Sequence, residues 1–410
     1  MIKRLLLLLA LLAAFPAAAQ VRTGIDVLQD RHFAPLREMV TRHGGKLRLA
    51  ILANPISVDS AGRRTIDVLR RAAVPGLEVV KLFSGEHGIN AATDDTDIDD
   101  RMDAASGLPI VGLYGRTEAE RHPSTAQLAG IDAVVIDLQD VGVRYWTFQT
   151  LTKYFLQAAA ANKVELIVLD RPNPLGGLAV QGPVSTPGLA DYTTPHSEPM
   201  RPGMTLGELA TMFNAEDRIG AKLTVIRMTG WKRSDWYDDT GLLWINPSPN
   251  LRSLSQATAY AGTALLEGTN VNIKGPGEAP FLRFGAPWIK GTELAAYLNA
   301  RRIPGVSFLA VAYVPANDRL YPFAGQRVEG VEVIIHDRNR LDAPTLGVEA
   351  VAALWKLYGA IFQIERVDRL LRNRLVLDQI KAGMDPRRIA AGWQPALNRF
   401  KVRRARYLLY

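Results

Sequence analysis

The sequence predicts an α/β fold: a parallel sheet with helices on both faces, followed by a smaller α+β domain. Three observations carry that prediction. Short apolar runs alternate with stretches of helical period through the first half of the chain. Those runs are nearly continuous in apolar residues, as strands buried on both faces require. Several end in a polar cluster next to glycine or proline, which is how an open parallel sheet presents side chains at its carboxyl edge.

Each element follows in order. Lys3 and Arg4, the apolar run Leu5 to Phe15 and the small run Ala17-Ala18-Ala19 read as a secretory signal peptide cleaved near Ala19. The mature chain is therefore expected to be periplasmic or extracellular. Leu49 to Leu52 is a strand, stopped soon after by Asn54-Pro55, and Arg64 to Val74 is an amphipathic helix. A second strand holds Val79, Val80, Leu82 and Phe83, is expected to be buried, and runs into Gly85-Glu86-His87-Gly88. Ile89 to Ser106 carries six Asp and should be a polar loop. Strands follow at Ile110 to Tyr114, Ala133 to Leu138 and Leu166 to Leu169, with a long helix over Tyr145 to Ala161. Gly176 to Pro202, containing Tyr192, His196 and Glu198, reads as a long ordered loop or lid. A helix at Leu206 to Phe213 and a strand at Leu223 to Met228 complete this half. The Trp- and Pro-rich stretch Trp231 to Pro249 marks a domain boundary, giving domains at 21–250 and 251–410. Beyond it come helices at Ala257 to Leu266, Leu294 to Ala300 and Val348 to Phe362, and strands at Phe308 to Tyr313 and Val331 to His336.

Composition narrows the function classes. A chain of 410 residues, 48% apolar and 22% charged, has enough apolar content for two ordinary cores. With no cysteine it has no disulfide, no thiolate metal site and no lipoprotein anchor. Removing Lys3 and Arg4 from the net charge of +8 leaves +6, a mild excess that suits an anionic polymer such as cell wall as well as an ordinary solvated surface. The one dense basic cluster, Lys401-Val402-Arg403-Arg404, does not read as a nucleic-acid site. No later run reaches ~18 apolar residues, so no stable membrane insertion is expected. Asn54-Pro55-Ile56 stands where a dinucleotide site would place its glycines. A serine-hydrolase elbow and a zinc-binding His-Glu-x-x-His are missing too, and the six histidines are scattered. Neither a cofactor nor a metal is expected, although Asp137 and Asp140 are of the type that holds a divalent ion.

Three strand ends carry the candidate chemistry. The first offers Glu86 and His87; the second offers Asp137, Gln139, Asp140, Arg144 and Tyr145; the third offers Asp170, Arg171 and Asn173. In a parallel sheet these ends share an edge, so the clusters are expected to converge and Glu86 to face Asp140 and Asp170. The same residues have plainer uses: an Asp after a strand also caps helices and builds turns, and Arg144 could pair with Asp140. Carboxylates for proton transfer, Arg and amides for hydroxyls, and aromatics for sugar faces are the equipment of a carbohydrate-active site.

The motifs themselves are distinctive. Gly85 to Gly88 (GEHG), Asp137 to Thr147 (DLQDVGVRYWT), Leu169 to Gly177 (LDRPNPLGG), Gln181 to Pro183, Ser248 to Ser253 (SPNLRS), Leu265 to Asn270 (LLEGTN), Pro280-Phe281, Gly285 to Trp288 and the closing YLLY occur in that order. Together they resemble the exo-β-N-acetylmuramidase family, the NamZ group of glycoside hydrolases. The resemblance implies a Rossmann-like domain without a nucleotide, a smaller auxiliary domain and an active-site cleft between them. It implies release of terminal N-acetylmuramic acid from the non-reducing end of peptidoglycan fragments, in cell-wall turnover or recycling. Carried over motif by motif, it places Glu86 with His87, then Asp170, Arg171 and Asn173, then Glu267 and Asn270 at the site. The catalytic candidates are Glu86, His87, Asp170 and Glu267, and the candidates for binding substrate are Asp140, Arg144, Tyr145, Arg171, Asn173, Asn250 and Asn270. Glu86 is the favoured proton donor, with His87 and Glu267 as competitors. N-acetylmuramic acid carries a lactyl carboxylate, and Arg144 and Arg171 are the candidate cations for it. One stretch departs. Lys274-Gly275-Pro276-Gly277 replaces the family's Gly-Arg-Gly-Thr loop, and Leu282 follows Phe281 where the family has Glu. The loop's arginine is missing, and the sequence leaves open whether Lys274 replaces its charge. The competing readings are a glycan-binding protein that has lost turnover, or another cell-wall hydrolase on the same scaffold.

Overall fold

The computed structural model describes residues 20–90, 101–274, 279–316 and 321–410. The signal-peptide segment, most of the acidic loop after Ile89 and the loop residues 275–278 lie outside the described residues. Twelve strands are formed among the described residues: β1 (Leu47–Ala53), β2 (Leu77–Ser84), β3 (Arg101–Met102), β4 (Pro109–Gly112), β5 (Ala133–Asp137), β6 (Glu165–Leu169), β7 (Gln181–Val184), β8 (Pro199–Arg201), β9 (Leu223–Ile226), β10 (Arg283–Ala286), β11 (Val306–Tyr313) and β12 (Val328–Ile335).

Seven of them form one sheet in the order β3-β4-β2-β1-β5-β6-β9, parallel throughout except for the short pair β3-β4. The continuous apolar runs follow from burial on both faces. Leu47, Leu49 and Ile51 of β1 and Val135 of β5 face a core with Ile25, Leu28, Leu36 and Met39, which come from the helices Gly24–Asp30 and Ala34–Arg42. Ala50, Leu52, Val134 and Ile136 face the other way, onto Phe148, Leu151 and Phe155 of the helix Thr147–Asn162. β2 corrects one expectation: Val79 and Val80 are only half-buried. β4 covers β2 only along Leu82 to Ser84, so the first half of β2 is a sheet edge.

The second half carries a three-stranded antiparallel sheet, β10-β12-β11, with helices that include Leu254–Thr263 and Ala343–Tyr358. These two helices pack backbone to backbone: a Cβ on Gly262 would overlap the Ala343 carbonyl. The apolar core beneath the helix Thr147–Asn162 continues without a break through Ala257 and Ala261 to Phe284, Leu346 and Leu354. The chain's end returns to the first half. Arg404 donates to the carbonyls of Pro202 and Gly203, the Leu409 amide donates to Glu208, and the Tyr410 hydroxyl donates to Asp170. No described helix is long and apolar enough to cross a membrane.

Candidate active site

The site is built on the end of β2. After Ser84 the chain turns sharply, with His87 and Gly88 at φ 68° and 69° and the Gly88 amide donating to the Gly85 carbonyl at 3.0 Å. Gly85 sits close against the helix Thr147–Asn162: a Cβ there would come within 2.6 Å of the tip of the Leu151 side chain, which would have to move aside. That closeness delivers Glu86 to the helix's first turn. Thr147 Oγ1 donates to Glu86 Oε2 at 2.7 Å, and the Tyr114 hydroxyl donates to Glu86 Oε1 at 2.7 Å. Each carboxyl oxygen therefore has its own hydroxyl partner, and the group is fixed in orientation. Burial, then the nearby Glu86, pushes the Tyr114 hydroxyl above its ordinary range, so it stays protonated and remains a donor.

Around Glu86 stand aromatic walls. A cavity of about 300 Å³ is lined by Glu86, Tyr114, Tyr145, Tyr192, Tyr260 and Glu267, among others. A narrower arm of about 50 Å³ shares Glu86, Tyr145, Tyr260 and Glu267 and adds His87, Trp146, Asn250 and Lys274. Trp146 stands edge-on to Phe148 and Tyr260, and Tyr260 edge-on to Tyr145 and Phe281. These contacts hold flat apolar faces and hydroxyl edges toward the cavity, the combination that receives sugar rings. Tyr192 comes from the long loop after β7, which Thr150 anchors through a hydrogen bond to the Tyr192 carbonyl at 2.8 Å.

Glu267 reaches the cavity from the second half of the chain. It follows the short helical turn Ala264–Leu266, which extends the Gly262-packed helix. Lys274 Nζ lies 3.0 Å from Glu267 Oε1. Burial works against the charge on Glu267, but Lys274, with smaller help from Arg369 and His87, outweighs it and holds the carboxyl below its ordinary value. Lys274 thus supplies a cation in the altered loop. Two further cations line the larger cavity, Arg121 and Arg369.

The predicted convergence of three strand ends does not occur. β1 lies between β2 and β5, and β6 lies beyond β5. At ~4.8 Å per strand, the ends of β2 and β6 are about 14 Å apart. Asp170 is buried and accepts from the Gly207 amide and from the hydroxyls of Thr205 and Tyr410. Arg171 makes a bidentate pair with Asp137 at 2.5 and 2.9 Å and donates to the Val58 carbonyl. Asn173 donates to the Met204 carbonyl and accepts from the Leu175 amide. Asp140 is buried and accepts from the Gly142 amide and Gln149, and burial pushes it up to about 7. Arg144 has no exposed surface and donates to the carbonyls of Pro183, Glu198, Leu370 and Leu371. Asn270 clamps the 361–363 turn through the Ile361 carbonyl and the Gln363 amide. These six residues hold the scaffold together and line neither arm of the cleft. Glu86, His87, Tyr145, Asn250 and Glu267 do line it.

Sequence reasoning missed Tyr114, Thr147, Tyr260, Arg121 and Arg369, and marked Tyr192 only as part of a long loop or lid. Thr147 had a signal, as the first helical residue after the strand-end motif. The others sit in elements whose place beside Glu86 depends on tertiary packing. The place where a doubly wound sheet ordinarily takes a ligand, the switch point between β1 and β5, is filled by the protein itself. There Ser57 donates to the Asp137 carbonyl, and Thr65 and Arg171 both donate to the Asp137 carboxylate. Among the described residues no cluster of three or more His, Cys, Asp or Glu is placed to hold a metal ion. A separate cavity of about 320 Å³ beside Leu254, Thr258 and His336 is as large and has no tyrosine or tryptophan among its lining residues, so volume alone does not mark the site.

Comparison with known proteins gives a consistent result. Residues 49–255 match the family described as exo-beta-N-acetylmuramidase NamZ, N-terminal, and residues 258–410 match its C-terminal counterpart. The chain is 33% identical over 395 residues to the peptidoglycan beta-N-acetylmuramidase NamZ of Bacillus subtilis (strain 168), covering 95% of this chain and 92% of that one. Two crystal structures of DUF1343 family proteins from Bacteroides fragilis NCTC 9343 have the same fold. One superposes with a TM-score of 0.83 at 31% identity, covering 95% of this chain and 99% of the other. The second gives 0.75 at 25% identity, covering 96% and 99%.

Proposed function

This chain belongs to the exo-β-N-acetylmuramidase NamZ family and is a glycosidase; from that premise we propose that it releases terminal N-acetylmuramic acid from the non-reducing end of peptidoglycan fragments. The observation that carries the reading is the pairing of Glu86, from the first half, with Glu267, from the second, on one cavity walled by tyrosines and a tryptophan.

In the proposed reaction the bond between the anomeric carbon and the leaving oxygen breaks. Glu86 gives its proton to that oxygen. Tyr114 and Thr147 hold its two oxygens in place. Glu267, kept ionised by Lys274, faces the positive charge that develops on the sugar ring. Water then adds to the anomeric carbon, and its proton returns to Glu86. Lys3, Arg4, the apolar segment Leu5 to Phe15 and the alanines before Gln20 support export to where wall fragments lie, in turnover or recycling of the wall.

The test is release of N-acetylmuramic acid from an unactivated disaccharide of N-acetylmuramic acid and N-acetylglucosamine. The wild-type protein should release it, and Glu86→Gln should lower turnover by roughly 10²–10⁴-fold, the usual contribution of a general acid, with little change in melting temperature. Near-normal turnover by that variant would move the acid to Glu267. Binding of the disaccharide without turnover in the wild type would instead make this a glycan-binding protein.

A further inference from the structure

The larger cavity is lined by two guanidinium groups, Arg121 and Arg369, neither of which contacts a carboxylate within ion-pair distance among the described residues. Arg121 is half-buried. Its guanidinium carbon lies 4.3 Å from the Tyr192 ring centroid and 5.5 Å from that of Tyr114, the residue whose hydroxyl holds Glu86. Its Nε donates to the Gly115 carbonyl at 2.9 Å, which leaves the two terminal nitrogens for another acceptor. Arg369 stands at the rim, on the short helix Asp368–Leu371. Among the described residues neither arginine forms an ion pair. The acidic residues nearby have other contact partners: Asp191 is bound by Arg372 at 2.9 Å, Glu118 accepts from Tyr154 at 3.1 Å, and Glu267, whose charge Arg369 favours from a distance, is paired with Lys274 at 3.0 Å.

The Arg121 side chain and the backbone that bears Arg369 are held in place. Stacking on two tyrosines and one backbone bond fix Arg121. The segment bearing Arg369 is fixed from below by buried Arg144, which donates to the carbonyls of Leu370 and Leu371 at 2.5 and 3.0 Å. It is fixed from the side by Thr193, whose hydroxyl donates to the Arg369 carbonyl at 3.3 Å. A preset guanidinium beside a sugar-binding wall matches a carboxylate through two parallel hydrogen bonds.

We propose that Arg121, with Arg369 at the rim, receives the lactyl carboxylate of N-acetylmuramic acid and makes the cleft select this sugar over N-acetylglucosamine, which lacks that group. The inference rests on the reading of the substrate given above, and it assigns Arg144 to positioning Arg369. A purely structural Arg121, there to hold Tyr192 and Tyr114, makes a different prediction: its loss would weaken both sugars alike.

The experiment measures binding of free N-acetylmuramic acid and free N-acetylglucosamine by calorimetry, so it does not depend on turnover. The proteins are the wild type, Arg121→Gln, Arg369→Gln and the double variant, each checked for an unchanged melting temperature. In the wild type the acid sugar should bind more tightly. Arg121→Gln should lower the affinity ratio roughly 10- to 100-fold, the range of a charge-assisted hydrogen bond. Arg369→Gln should lower it by less, and the double variant should bring the two sugars close to parity. If the double variant folds and keeps the wild-type ratio, or if the two affinities fall together, the assignment is overturned. Tight, selective binding by a wild-type protein that cleaves nothing would remove the glycosidase mechanism and leave the carboxylate site standing. Cleavage with unchanged selectivity in the double variant would do the reverse. A wild type that binds the two sugars equally overturns the assignment outright.

Discussion

Glu86 and Asp170 occupy the same place in the chain's grammar. Each follows a parallel strand whose last residues are buried, each is an acid at the sheet's carboxyl edge, and each accepts hydrogen bonds from a tyrosine and a threonine hydroxyl. Their fates differ because of what covers them. The hydroxyls on Glu86 come from Tyr114 and Thr147, which stand on the wall of an open cavity. Those on Asp170 come from Thr205, at the start of a packed helix, and from Tyr410, the last residue of the chain. The tail thus closes over the β6 end as a ligand would, and the β2 end is left for chemistry. In this fold a strand-end acid stays open to a ligand where the chain does not return to cover it.

That contrast is broken or sharpened first at Arg171, the neighbour of Asp170. Its pair with Asp137 is buried on both sides. Arg171→Ala strands the Asp137 charge with the Thr65 hydroxyl as its remaining side-chain partner, a change that typically costs about 3–5 kcal/mol. The expected outcome is a large drop in the denaturation midpoint, while the selectivity for N-acetylmuramic acid over N-acetylglucosamine in the remaining folded protein is unchanged. A selectivity loss with normal stability would put Arg171 back at the substrate and erase the difference between the two strand ends.

The covered acid should also leave a pH signature. Burial, outweighing the bonds from Thr205, Gly207 and Tyr410, pushes the Asp170 carboxyl up to about 6 from an ordinary 3.8. The folded protein therefore holds this proton more tightly than the unfolded chain. The resulting stabilisation is full below about pH 4 and is lost as pH rises through about 6. Across that window the effect is on the order of 3 kcal/mol. Asp170→Asn, which cannot titrate, should lose less stability than the wild type between pH 4 and pH 7. Asp140, raised by the same cause to about 7, keeps part of the slope in both proteins. Equal slopes in the two proteins would mean that Asp170 is ionised in the fold and that the tail does not bury it.

The fold class was legible in the sequence because strand burial on both faces leaves a direct trace, the unbroken apolar runs at β1, β5 and β6. Glu86 was legible because glycines flank its turn, Gly88 with a left-handed backbone and Gly85 packed close to the next helix. What the sequence could not display was strand order. Convergence of Glu86, Asp140 and Asp170 assumed that successive strand ends are neighbours, whereas β1 separates β2 from β5. Motif matching also could not separate the two uses of an acid or an arginine. Arg144 and Arg171 stand in distinctive motifs because the scaffold depends on them, whereas Arg121 and Arg369 stand in none of those motifs. Chain ends posed the same difficulty: the closing YLLY was recognisable, but not that Tyr410 seats on Asp170.

The finest test removes one hydroxyl from each acid. Tyr410→Phe deletes the donor to Asp170 Oδ2, at 2.8 Å, and the acceptor of the Met228 amide, at 2.9 Å. The ring can still pack edge-on to Trp231, so the loss should be confined to those hydrogen bonds, about 1 kcal/mol of stability. Hydrogen exchange should rise at Met228 and Leu409 as the tail lifts more often, and turnover should stay within about twofold of the wild type if the cleft senses none of this. Thr147→Val deletes the donor to Glu86 Oε2 and keeps the side chain's shape. Stability should fall by no more than about 1 kcal/mol. Loss of one orienting bond on the proposed acid should lower kcat roughly tenfold, equivalent to about 1.4 kcal/mol in the barrier. The two variants remove chemically similar groups from similar acids, so the comparison stands only if one moves stability and the other moves rate. If Thr147→Val leaves kcat unchanged, Glu86 does not need its hydroxyl partner to work, and orientation by Tyr114 alone must suffice.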